Sequence, residues 1–174
     1  HYNYFLNVVF PDDELHILSY NRVVTDLGGL SQEDLLAKIE ERFAIAKADA
    51  PVTPQRDKQI GMYINGQWYV LSIKPGTYDE NDPAASIDSA VLTKNLLDPV
   101  LGIKDIRTDE RIDFVGGIRG TQELVKLVDS GKFAIAFSMY PVSVEQLLAV
   151  ADAEQVMPPK STWFEPKLRS GLVV

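Results

Sequence analysis

The stretch GMYINGQWYVLSIK, residues 61–74, restricts the fold more than any other part of the chain. Two runs rich in β-formers flank Asn65-Gly66, a pair that tolerates positive φ at both central turn positions and so closes a two-residue hairpin. An antiparallel sheet is therefore expected at the centre of the chain, and the other elements have to be fitted around it.

Those elements follow from pattern. Residues 2–10 read as an apolar strand, PDDE (11–14) as a turn and LHILSYNRVV (15–24) as a second strand, together a first hairpin. DLGGL breaks the run. Ser31 is placed to cap a helix with Asp34 as its capping-box partner, and Leu35, Leu36, Ile39 and Phe43 supply the buried stripe. APVTPQ (50–55) and PGTYDENDP (75–83) are loops. Asp82-Pro83 predicts an N-cap and first helical residue, and the helix runs to about Leu97, where Asp98-Pro99 ends it before a short turn over 99–103. RIDFV (111–115), GGIRG (116–120), TQELVKLVDSG (121–131) and KFAIAFSMY (132–140) spell strand, tight turn, helix and buried strand. Such a β-α-β unit predicts two parallel strands with a right-handed crossover. Ser143 caps a last helix, VEQLLAVADA. The expected fold class is α+β: a mixed sheet with antiparallel hairpins in the first half and a β-α-β unit in the second, forming a single domain over 1–174. No internal repeat or low-complexity segment interrupts it.

Composition bounds the function. With 174 residues, 45% hydrophobic and 24% charged, the chain can bury an ordinary single-domain core. No run of about 18 apolar residues predicts a membrane span. The absence of cysteine removes disulfides, thiolate nucleophiles and cysteine zinc sites, and fits a cytoplasmic protein. His1 leads straight into the apolar YNYFLNVVF without a secretory pattern, so the chain is expected to be the C-terminal fragment of a longer protein. The net charge is −8, yet residues 158–174 hold Lys160, Lys167 and Arg169 against Glu165, leaving −10 on the rest. An acidic body disfavours broad nucleic-acid binding, whereas a local cationic patch suits one small anion.

Four stretches and the two histidines are candidate sites. In GGIRG, the backbone N–H groups of Gly116 and Gly117 and the helix start can approach an anion, with Arg119 as a forked donor; the plainer explanation is that a tight strand-to-helix turn needs glycine. Val115 stands where a dinucleotide fingerprint needs its first glycine, which excludes that motif. KST (160–162) is not a nucleotide loop, because Pro159 and Glu154 occupy the glycine positions; a rigid Pro-Pro turn is left, presenting Lys160, Ser161 and Thr162, with Trp163 and Phe164 docking it and solvated lysines as the plainer outcome. In SYNRVV, alternation puts Tyr20 and Arg22 on one face of a strand, where an arginine is usually solvated or salt-bridged. The acids of YDENDP miss the calcium spacing, with Pro83 at the third ligand place. Two histidines, His1 and His16, and no cysteine predict no metal centre and no Ser-His-Asp triad within the chain.

FPDDELHILSYNRVVTDLGGLS, LLDPVLGI, RIDFVGG and above all YPVSVEQLLAVADAEQVMPPKSTWFEPKLRSGL together resemble the C-terminal half of a bacterial and archaeal domain-of-unknown-function family, number one thousand and fifteen. The resemblance implies a full-length protein about twice this size with an upstream GHHR-type motif, which this chain lacks. It carries the labels ParB-like and transcriptional regulator, and some members sit beside serine-biosynthesis enzymes. ParB-like folds include nucleotide-using enzymes and a free-serine kinase, so by analogy the resemblance implies phosphate handling, with a nucleotide as cofactor of the full-length protein.

The expectation is a domain that binds a small phosphorylated or carboxylated metabolite through Gly116, Gly117, Arg119, Lys160, Ser161, Thr162, Lys167, Arg169 and Arg22. The missing N-terminal half would be its partner and complete any chemistry, such as phosphoryl transfer to or from a serine-related metabolite. The rivals are a DNA-associated regulator and a structural partner domain without ligand. The decisive expectation is spatial: the cationic tail and the glycine turn share one pocket.

Overall fold

A computed structural model describes residue 9, residue 11 and residues 14–167. Asn65 (φ 47°) and Gly66 (φ 79°) close the expected hairpin. It joins β4 (Gln59–Ile64) to β5 (Gln67–Ile73) in the register Ile64 to Gln67 and Met62 to Tyr69. The segment 15–24 divides at Ser19 into β1 (His16–Leu18) and β2 (Tyr20–Val24). The expected strand over 2–10 lies outside the described residues.

α1 (Gln32–Glu40) starts at Ser31, whose hydroxyl accepts the Asp34 N–H at 3.1 Å. Leu35 and Ile39 form its buried stripe. Phe43 does not belong to that helix. It opens β3 (Phe43–Ala48), paired with β5 from Phe43–Ile73 to Ala48–Trp68. The helical spacing of Phe43 is genuine, but a partner strand competes for the same residue and wins. Asp82 caps only a single turn, accepting the Ala85 N–H at 3.0 Å. Ile87 is extended (ψ 134°), so α2 (Asp88–Leu92) begins there and runs on as a π-helical turn, Thr93–Leu97. The stop at Asp98-Pro99 is where the sequence places it.

β6 (Ile112–Gly116) leads through a 3₁₀ turn (Gly117–Arg119) into α3 (Gly120–Asp129) and then β7 (Ile135–Ser138). The two strands of this β-α-β unit run in the same direction but are not neighbours. β2 lies between them, antiparallel to both, so the sheet order is β3-β5-β4-β7-β2-β6 and each hydrogen-bonded pair among the described strands is antiparallel. α4 (Val144–Asp152) carries a full capping box of Ser143 and Gln146. β8 (Trp163–Glu165) returns to pair with β1 in a separate two-stranded ribbon.

The fold is therefore α+β, a six-stranded sheet with helices on both faces. One face carries Val24, Met62, Ile64, Ile135 and Phe137, buried against Leu35 and Ile39 of α1 and Leu92, Leu96 and Leu97 of the second helix. The other carries Val23, Tyr63, Val115 and Ala136 under Leu124 and Val128 of α3. Among the described residues no helix is long and apolar enough to cross a membrane, and no cluster of three metal-ligating side chains occurs.

Candidate functional site

β2 fixes the site because its two faces do different work. Asn21, buried, turns toward the end of β7, where its Oδ1 accepts the Met139 N–H at 3.0 Å. Tyr20 and Arg22 face the other way, opposite Gly116 and Phe114 of β6. Arg22 is 1% exposed, a rare position for a guanidinium. Its Nη1 donates to the Tyr20 carbonyl, its Nη2 donates to the Lys160 carbonyl at 3.1 Å, and its Cζ lies 5.8 Å from the centre of the Phe114 ring. Burial pulls its pKa down to about 10, against the attraction of Asp88.

The tail comes back over this face. Trp163 lies directly on Gly116: a Cβ there would meet its ring carbons at 2.6–2.9 Å. Its ring centre is 5.1 Å from that of Tyr20, and its Nε1 donates to Glu165 at 2.6 Å. Lys160 sits in the left-handed region (φ 54°), with its ammonium 5.6 Å from the Tyr20 ring centre and 5.9 Å from that of Phe114. Ser161 is buried and donates to the Pro158 carbonyl at 2.6 Å, which holds the turn, while Thr162 is half-buried beside it. The ammonium of Lys167 is 4.0 Å from the Trp163 ring centre.

Tail and glycine turn thus meet, through Trp163 and Gly116. The turn itself offers fewer donors than its sequence suggests. Gly117 donates its N–H to the Ser19 carbonyl at 2.7 Å, and Gly120 donates to Gly117. Arg119 is exposed and 4.0 Å from Glu123 in the first turn of α3. Arg169 lies outside the described residues. Replacing Gly116 by Ala is expected to displace Trp163 and lower stability by about 1–2 kcal/mol. A red shift of tryptophan emission at unchanged secondary structure would report it; unchanged emission would mean that the ring does not rest there.

Two further features lie outside the predicted motifs. The first is a cleft of about 420 Å³ whose lining includes Lys94, Lys104, Asp105, Arg107 and, from the tail, Pro158 and Pro159. Arg107 pairs side-on with Asp105 through Nε and Nη2, both at 3.0 Å, which holds that carboxyl below the usual range. The run KDIRTDER, of alternating sign, was the available signal. The second is a buried ion pair. The Asp88 carboxylate receives the Lys58 backbone N–H at 3.1 Å and its ammonium at 3.0 Å, with side chains 7% and 19% exposed. Burial pushes the Asp88 carboxyl up, and the Lys58 contacts oppose this.

The model of the family described as "Protein of unknown function (DUF1015)" matches residues 1–95. The chain belongs to this family. No curated protein matches it. Among solved structures, this DUF1015 member is similar to the free serine kinase in complex with AMP (10% identity, TM-score 0.53) and to a mutant of that kinase with AMP (9%, 0.52). Both alignments cover 88% of this chain and 55% of the kinase chain. A conserved hypothetical protein from Pyrococcus furiosus matches at 13% identity and a TM-score of 0.50, over 88% of this chain and 57% of its own. At such identities the likeness is one of fold, and the DUF1015 chain spans a little over half the length of these structures.

Proposed function

We propose that this chain binds a small phosphorylated or carboxylated metabolite, as part of a phosphoryl-transfer protein linked to serine metabolism. The observation that carries the reading is the cleft of about 420 Å³ whose lining holds Lys94, Lys104 and Arg107 against Asp98 and Asp105, with the Pro158–Pro159 turn as a wall. That volume falls in the range of small-molecule sites. Asp105 occupies the forked edge of Arg107, so Lys94 and Lys104 are the cations available to a ligand anion. The same turn presents Lys160 beyond the cleft wall. The fold shared with a kinase solved with AMP supports a nucleotide or a phosphorylated amino acid as the ligand class. A DNA-associated role has little electrostatic support, since residues 1–157 carry −10.

Calorimetric melting with AMP, ADP, serine and phosphoserine tests this. At a hundredfold excess over Kd, binding stabilises by about 2.7 kcal/mol, or roughly 5–10 °C for a domain of this size. The double variant K94A/K104A is expected to need about ten times more ligand for the same shift, a loss typical of hydrogen bonds to charged groups. If none of the four compounds moves the melting temperature, the metabolite reading is wrong.

A further inference from the structure

The guanidinium of Arg22 has one nitrogen, Nε, without a partner among the described residues. Nη1 and Nη2 donate to the carbonyls of Tyr20 and Lys160, which accept hydrogen bonds without neutralising charge. Nε, next to Nη2, is buried. The molecule shows twice how the Nε–Nη2 edge is filled elsewhere. Arg107 offers Nε and Nη2 to Asp105 at 3.0 Å each, and Arg111 offers them to Asp109 at 3.1 and 2.8 Å. Among the described residues, Arg22 has no carboxylate in the same place.

Nearby charge does not make up the difference. Asp88 attracts Arg22, but Lys58 already engages both of its carboxylate oxygens. The other nearby acid, Asp57, is exposed and stands 3.6 Å from the Lys58 ammonium, so it answers Lys58 and leaves the buried Arg22 with no carboxylate in ion-pair range among the described residues. An uncompensated buried cation is costly, and an apolar side chain of similar size would avoid that cost. Lys160 adds a second cation. Its ammonium stands over the Tyr20 and Phe114 rings and has no carboxylate in ion-pair range among the described residues.

We propose that Arg22 and Lys160 form a subsite for one oxyanion group, a carboxylate or a phosphate, carried by the small metabolite of the preceding reading, on which this inference rests. The anion takes Nε and Nη2 of Arg22 side-on, the arrangement arginine favours with such groups, and the ammonium of Lys160 closes over it from the solvent side. Access requires the turn at 158–162 to swing aside, exchanging the Lys160 carbonyl for the anion on Nη2. Pro158 and Pro159 belong to that turn and also wall the cleft, so filling one position reshapes the other.

The test compares the wild-type chain with Lys160→Gln, an exposed change, and Arg22→Met, which keeps length but removes charge. Each is melted in increasing inorganic phosphate and, separately, acetate, against sodium chloride at the same ionic strength. The wild type is expected to gain melting temperature with one of the two anions beyond the chloride control, and which one identifies the group. K160Q is expected to need roughly tenfold more anion. R22M is expected to lose the anion response while melting, without anion, within about 2 °C of the wild type or above it. If R22M does not fold, K160Q alone decides. No anion-specific shift in the wild type, or an equal shift in both variants, overturns the subsite. A response that K94A/K104A abolishes and that K160Q and R22M retain also overturns it, while leaving the cleft as the metabolite site.

Discussion

Replacing Asp88 by Ala is expected to destabilise the protein by about 3–5 kcal/mol, the range seen when one partner of a buried ion pair is removed. The carboxylate accepts both the backbone N–H and the ammonium of Lys58 and is the acid that attracts Arg22. Its loss leaves Arg22 without the acid that attracts it, and Lys58 with only the exposed Asp57, 3.6 Å from its ammonium, as counter-charge. Lys58, 19% exposed, can reach toward water, but Arg22 cannot. Denaturant titration measures the effect as a lower midpoint at unchanged slope. The double variant D88L/K58M is expected to recover much of the loss, because an apolar pair replaces an ionic one. A loss below about 1 kcal/mol for D88A would show that the pair is solvated and carries little weight.

Gly61→Ala is expected to cost about 3 kcal/mol, the upper part of the range for overpacking. Gly61 lies in β4 opposite Ser138 of β7. A Cβ there would collide with the Ser138 hydroxyl and come within 2.8 Å of the Val52 carbonyl and 2.9 Å of the Val52 Cβ. Ser138 cannot simply turn away, since its hydroxyl donates to that same carbonyl at 2.6 Å in a buried position. Adding Ser138→Ala should rescue only part of the loss: one clash goes, the backbone clash stays and a buried hydrogen bond is lost. Full recovery in the double variant would place the whole cost on the hydroxyl. Thermal melting of the three proteins distinguishes these results.

Local chemistry was legible wherever it acted alone. Asn65-Gly66, the Ser31 and Ser143 caps and the stop at Asp98-Pro99 stand where the sequence puts them. Failures came where distant partners decide. Phe43 satisfies a helical stripe, yet pairing with Ile73 draws it into a strand. The direction of β6 and β7 follows from their connecting helix, but nothing in residues 111–138 shows that β2 inserts between them. The site divides in the same way. That aromatic residues would dock the tail was readable, and Trp163 rests on Gly116. That Ser19 would take the Gly117 N–H, or that Lys58 would find Asp88 thirty residues on, was not, because the first depends on register between β2 and β6 and the second on where α2 starts against the entry to β4. The cleft brings 90–107 together with 158–159, a meeting that no local motif encodes.

β7 is the strand on which the two parts of the large sheet join: β4 pairs with it on one side and β2 on the other. A ribosome delivers it late, since Ile135–Ser138 follows both partners by more than 70 residues. Until then the nascent chain carries two incomplete ribbons with open hydrogen-bonding edges, the kind of surface that recruits chaperones or aggregates. A chain cut between residues 117 and 134 should therefore yield insoluble product, however well the Asn-Gly hairpin closes by itself.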